Sequence, residues 1–118
     1  MRPRLMVMAA AMVLVAAFAA QSAGAAVLIK GVDTSSGFRW KPHAVNVAVG
    51  TKVVWKAMTG IHTVTAYTGR WRKSTTIARG ATTSFTFRSA GVYKFRCLFH
   101  SILRNGVCSG MCGKVVVG

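Results

Sequence analysis

Four side chains have the types needed to hold a soft metal ion: His62, Cys97, His100 and Met111. Two of them are close in sequence, in Cys97-Leu98-Phe99-His100, and Met111 follows in a glycine-rich stretch. His62 lies well upstream, in Ile61-His62-Thr63-Val64-Thr65. A thiolate, two imidazoles and a distant thioether are the donors of a one-electron copper centre. The thiolate and imidazoles hold Cu(I) and Cu(II) comparably well, and a weak axial thioether tunes the potential. A site that changes little between oxidation states reorganises little, which makes electron transfer fast. Taken singly, each residue has a second reading. Cys97 could be a core cysteine, and His62 a partly exposed strand histidine. Met111 could fill a gap, with Met58 as the other candidate for its position. His43 follows Pro42 without a partner pattern and reads as a surface residue.

The rest of the chain must bring these residues together. Short apolar alternations broken by turn residues argue an all-β sandwich or barrel. Val27 to Val32 reads as a first strand, and Val45, Val47 and Val49 alternate with Asn46 and Ala48 in a half-buried one. Gly50-Thr51 turns the chain into Lys52 to Ala57. Met58-Thr59-Gly60 leads into His62 to Tyr67. Thr68 to Ser74 reads as a polar connector, with Trp71 either an exposed aromatic between Arg70 and Arg72 or a packed loop residue. Thr82 to Phe87, Val92 to Cys97 and Lys114 to Val117 complete the strands, and frequent β-branched residues suit them. This layout puts Cys97 at a strand's end, His100 and Met111 in the loop after it, and His62 at the head of another strand.

The charge is one-sided: 16 Lys and Arg against one acid, Asp33. A single carboxylate excludes a paired acid/base site, a carboxylate metal cage, and any Ser-His-Asp triad built without Asp33. The charge predicts attraction to an acidic redox partner or an anionic envelope surface. A copper enzyme would need further copper sites, and only His43 is left unassigned, so the chain reads as a non-enzyme. No recognisable nucleic-acid-binding motif is present, so nucleic acid is not an expected partner.

The N-terminus reads Met1-Arg2-Pro3-Arg4, then an apolar run from Leu5 to Ala20, then Gln21-Ser22-Ala23-Gly24-Ala25. A basic start, an apolar core and a small-x-small end form a signal peptide over 1–25. The apolar run is shorter than the roughly 20 residues a membrane span needs. An uncleaved anchor is the alternative reading. Cleavage leaves one domain, 26–118, exported to the periplasm or outside the cell, expected to be a monomer without stable membrane insertion. Arg2 and Arg4 leave with the leader, so 14 basic residues and one acid remain, a charge of +13. Three cysteines make an odd count for an exported chain. With Cys97 on a metal, Cys108 and Cys112 can pair, and closing that five-residue ring contributes only about 2 kcal/mol. Otherwise one of the two serves as a second thiolate ligand.

Beyond the donors, several stretches match a known pattern. Phe38-Arg39-Trp40-Lys41-Pro42, followed by Val45 to Trp55, is similar to F-x-P-x-x-I-x-V-x-x-G-D-x-V-x-W. Ser84 to Phe87 and Gly91 to Cys97 match F-x-F…G-x-Y-x-Y-x-C. The chain resembles the plastocyanin/azurin-like cupredoxins from about Val27 to its end. The resemblance implies a Greek-key β-sandwich or barrel of about seven to eight strands. It also implies one type 1 (blue) copper site made by His62, Cys97, His100 and Met111, and single-electron transfer between redox partners. The departure is the insert Ser101 to Gly110, since the family usually places its methionine a few residues after the second histidine. The extra cysteines and that position keep a second function open, extracytoplasmic copper sequestration or delivery. In either case Ile61, Leu98, Phe99, Ile102 and Leu103 would form an apolar rim around His100. Arg70, Arg72, Arg96 and Arg104 would form its positive border.

Overall fold

The structure, a computed structural model, describes residues 2, 3, 10 and 24–118. The leader reading of 1–25 falls almost wholly outside them. Among the described residues there are nine strands and no helix: β1 (Val27–Thr34), β2 (Gly37–Lys41), β3 (Ala44–Val47), β4 (Lys52–Ala57), β5 (His62–Ala66), β6 (Ser74–Ile77), β7 (Thr82–Thr86), β8 (Gly91–Arg104) and β9 (Val107–Val117). They form a four-stranded sheet, β2-β1-β4-β7, and a five-stranded sheet, β3-β9-β8-β5-β6. The β1–β4 and β3–β9 pairs are parallel and the others antiparallel.

Period-two burial explains the layering. In β4, Val53, Trp55 and Ala57 are buried while Lys52 is exposed, so one face meets the core and the other meets water. Ile29, Trp40, Phe87, Phe95 and Val115 fill the space between the sheets. Trp71 belongs to this core. It is 7% exposed, stacks on Trp55 with ring centroids 6.1 Å apart, and its indole N–H donates to the Lys94 carbonyl at 3.0 Å. The Thr68 to Ser74 connector is thus held by a buried indole that satisfies its own polar atom.

Three expectations need correction. The strand count is nine, because β2 and β6, of five and four residues, are too short for a period to stand out. β8 does not stop at Cys97 but runs to Arg104, and β9 begins at Val107. The insert is therefore a β-hairpin closed by Asn105-Gly106, both with positive φ, 50° and 75°, the pair that a two-residue hairpin turn requires. Finally, Arg70 lies over Gly91, where an added Cβ would stand 2.8 Å from its Nη1. Gly91 opens β8, at the opposite end of its sheet segment from His100, so Arg70 is not part of a border around that histidine.

Candidate metal centre

The β8–β9 pairing places the donors. Arg96 pairs with Cys112 and Ser101 with Gly110. Between those two pairs β8 carries four residues, Cys97 to His100, and β9 only Met111. The surplus bulges out of the ladder, so Cys97 and His100 stand across from Met111. Gly110 makes the close approach possible: its φ is 95°, and a Cβ there would lie 2.5 Å from the His100 carbonyl oxygen. β5 sits beside β8 and starts at His62.

The result is a tight cluster. His62 Nδ1 is 3.2 Å from His100 Nδ1. Cys97 Sγ is 3.4 Å from His100 Nδ1 and 3.8 Å from His62 Nδ1. The point equidistant from the three atoms lies about 2.0 Å from each, close to metal–imidazole bond lengths of about 2.0–2.1 Å and metal–thiolate lengths of about 2.3 Å. His62, Cys97 and Met111 are fully buried and His100 is partly exposed. Met111 is at the centre: its Cε and the Cδ2 of His62 both lie against Gly31, where a Cβ would stand 3.1 and 2.9 Å from them. Met58, the other candidate thioether, is 38% exposed. His43 is exposed, as its sequence context suggests.

The surroundings orient each donor. His62 Nε2 donates to the Thr59 carbonyl at 2.5 Å, which leaves Nδ1 as the lone pair facing the cluster. Burial pushes the His62 pKa down; the Thr59 contact opposes this and His100 adds to it. The imidazole is therefore kept neutral, the form that binds a metal. The Thr63 N–H donates to Cys97 Sγ at 3.3 Å. Thr63 Oγ1 accepts the Leu98 N–H at 2.8 Å, locking β5 to the bulge. Ser101 Oγ donates to the Cys97 carbonyl and accepts from Arg96 Nη1 at 3.1 Å. Phe38 covers both histidines, with centroids 4.9 Å from His62 and 4.4 Å from His100. The sequence alone does not reveal these supporting roles of Thr59, Thr63, Gly31 and Phe38. Two of them carry a signal: Thr63 directly follows His62, and Phe38 opens the Phe38 to Pro42 stretch.

A donor set of this kind, in this order along β5, β8 and β9, decides the family, and the match to its model covers residues 25–118: copper binding proteins, plastocyanin/azurin family. The chain belongs to the plastocyanin/azurin family. His62, Cys97, His100 and Met111 are arranged as the type 1 copper site of a cupredoxin. No curated protein matches the chain in sequence. Among solved structures the fold is similar to a reduced Cu(I) form of an amicyanin mutant, at 23% identity and TM-score 0.63, covering 85% of this chain and 95% of that one. It is similar to a purple cupredoxin from Nitrosopumilus maritimus, at 22% identity and TM-score 0.60, covering 80% and 100%. It is also similar to a copper-containing nitrite reductase from Thermus scotoductus SA-01, at 20% identity and TM-score 0.62, covering 78% of this chain but only 22% of that one. At these identities the likeness is one of fold.

The extra cysteines are joined, Cys108 to Cys112, with Cα atoms 6.2 Å apart. Cys97 is the free cysteine and is buried. The bond ties the hairpin arm to the strand segment that carries Met111. Around His100 the surface is apolar: Ile61, Leu98, Phe99 and Ile102 are 54%, 45%, 60% and 55% exposed.

Proposed function

We propose that this cupredoxin is an exported carrier of single electrons, with His62, Cys97, His100 and Met111 as the residues that would hold copper. The observation that carries the reading is the convergence of two Nδ1 atoms and one Sγ within 3.8 Å. Copper bound there would supply a one-electron couple. The protein's part is to hold three donors in place before and after the electron moves. The Thr59 and Thr63 contacts fix His62 and Cys97, and Phe38 and Trp40 exclude water. Rigid donors keep reorganisation small.

Electrons would enter and leave at the exposed side of His100, where a partner's apolar surface meets Ile61, Leu98, Phe99 and Ile102. Arg96 and Arg104 flank this patch along β8, so the partner surface is acidic, consistent with a chain of 16 cations and one carboxylate. Among the described residues no helix is long and apolar enough to cross a membrane. Residues 1–25 are read as the export leader and 26–118 as the working domain. The disulfide weighs against copper storage, because it removes the two thiols that a second Cu(I) site would use.

The test is Cu(II) addition to the protein with the leader removed. A strong visible band that cycles with reductant and oxidant supports the carrier. Copper held only as colourless Cu(I) supports storage.

A further inference from the structure

β9 does not run straight past the metal centre. Cys108 and Cys112 stand four residues apart on this one strand, and an extended strand, at roughly 3.3 Å per residue, would separate their Cα atoms by about 13 Å. The observed separation is 6.2 Å, so the chain doubles over between them. The bend passes through Gly110, whose φ is 95°, a conformation that glycine adopts at little cost. Met111 comes next and points inward: it is fully buried, whereas Ser109 and Gly110 are exposed. The disulfide closes a ring of five residues with Met111 inside it.

Little else holds this bend. No residue from Ile102 to Gly110 is buried, so the arm beyond the bulge has no footing in the core between the sheets. Its strands pair only with each other: β5 meets β8 at Phe95 and Arg96, and β3 meets β9 from Lys114 onward. A lone two-stranded hairpin is marginal in water. The Ser101 hydroxyl fixes the base of the arm to the Cys97 carbonyl, but on the β8 side and not on β9. A crevice of about 400 Å³ separates β2 from the bend, and Arg39, Lys41, Cys108, Gly110 and Cys112 are among its walls. Segments with so few buried contacts open locally at low free energy, and the Cys108–Cys112 bond is the one covalent cross-link that prevents it.

We infer that the Cys108–Cys112 bond positions Met111 for copper, and that its reduction by an external dithiol relaxes the bend and withdraws the thioether; this rests on Met111 holding copper, as proposed above. The exchange moves two electrons. The two thiol hydrogens of the dithiol pass to the Cys108 and Cys112 sulfurs, the Cys108–Cys112 bond breaks, and an S–S bond forms within the dithiol. Both cysteines line the crevice, which gives a small dithiol its path from solvent. Arg39 and Lys41 on the same wall attract the attacking thiolate. The two cysteines are positioning residues, acting on the metal only through Met111. The centre thereby has two settings, thioether held and thioether released, selected by the thiol redox state.

The test follows the Met111 methyl by NMR in the metal-free, full-length protein before and after dithiothreitol. Reduction should abolish its contact with Gly31 and His62 and shift it toward the position of an exposed methionine, and reoxidation should restore it. The methyl of Met58, already 38% exposed, should stay where it is. An unmoved Met111 methyl, once three thiols can be alkylated under denaturing conditions, would overturn the inference. So would unfolding of the whole domain on reduction, which would make the bond a general staple. In the copper form, the double variant Cys108→Ser/Cys112→Ser should raise the midpoint potential in the same direction as Met111→Leu, and should add no further rise in the Met111→Leu background. An unchanged potential, or an equal rise in both backgrounds, would remove Met111 from the route. A parent protein that takes up no copper would contradict the carrier instead, and the methyl result would still decide whether the bond holds Met111 in place.

Discussion

Each donor is held by a neighbour that does not itself bind metal, and Gly31 shows how little room there is. A Cβ at that position would stand 2.9 Å from His62, 3.1 Å from the Met111 methyl and 3.1 Å from Trp40. Gly31→Ala should therefore overpack the site and cost about 1–3 kcal/mol of stability, with a displaced His62 and weaker copper binding. Chemical denaturation of the metal-free variant checks the first effect, and a copper competition titration the second. Met111→Leu keeps the volume and removes the thioether. Without that donor the more positive oxidation state loses support, so the midpoint potential should rise while the visible band persists; cyclic voltammetry reads it. His62 gives the metal-free protein a pH dependence. Its folded pKa lies below the ordinary value of 6.5, because burial disfavours the charged ring. The unfolded chain therefore takes up the proton first. Stability is unaffected well above pH 6.5 and falls as the pH drops through 6.5 toward the lower folded value. Urea midpoints measured across that range should show the loss, and His62→Gln should flatten it.

At the scale of elements, the centre exists because β8 and β9 do not match in length across the bulge. Four residues of β8 face one of β9, which turns a ladder into a pocket edge. The stapled hairpin beyond it steadies the arm that carries Met111. Reducing the Cys108–Cys112 bond, or replacing both cysteines by serine, should lower stability by up to about 2 kcal/mol, as closing a five-residue ring implies. The visible band should remain, because neither sulfur is a donor in this account. Loss of the band in the double serine variant would make one of them a ligand. The hairpin was partly legible in sequence: Asn105-Gly106 is the strongest short turn signal there is. It stands alone there, because no clean apolar alternation flanks it. Val107 is 70% exposed on the free arm, where there is no core to enforce a period. β2 and β6 do face the core, through Trp40 and Ile77, but at five and four residues they are too short for a period to stand out. By contrast β4 and the start of β5 were placed to the residue, because Val53, Trp55 and Ala57 must all face inward. The donors were legible through their chemical types. Gly31 and the Thr59 carbonyl were not, since a backbone oxygen and a missing Cβ leave no mark on a single sequence.

At the scale of the molecule, the carrier proposed above divides its work between two surfaces. On that proposal the apolar patch around His100 serves brief docking, and the basic charge serves fast encounter with an acidic partner. Arg104→Gln should slow association at low ionic strength and converge with the parent protein at high salt, where screening acts within about 10 Å or less. Stopped-flow rates over a salt series would show it, and equal rates throughout would remove Arg104 from the docking surface. The copper spectrum should be the same in both. The whole account rests on a bond between copper and the Cys97 thiolate, and the direct test is the visible spectrum after adding Cu(II), beside Cys97→Ser. A strong band in the red, present in the parent and absent in the variant, is the predicted result. Copper binding without that band, or a band that survives the loss of the thiol, would contradict it.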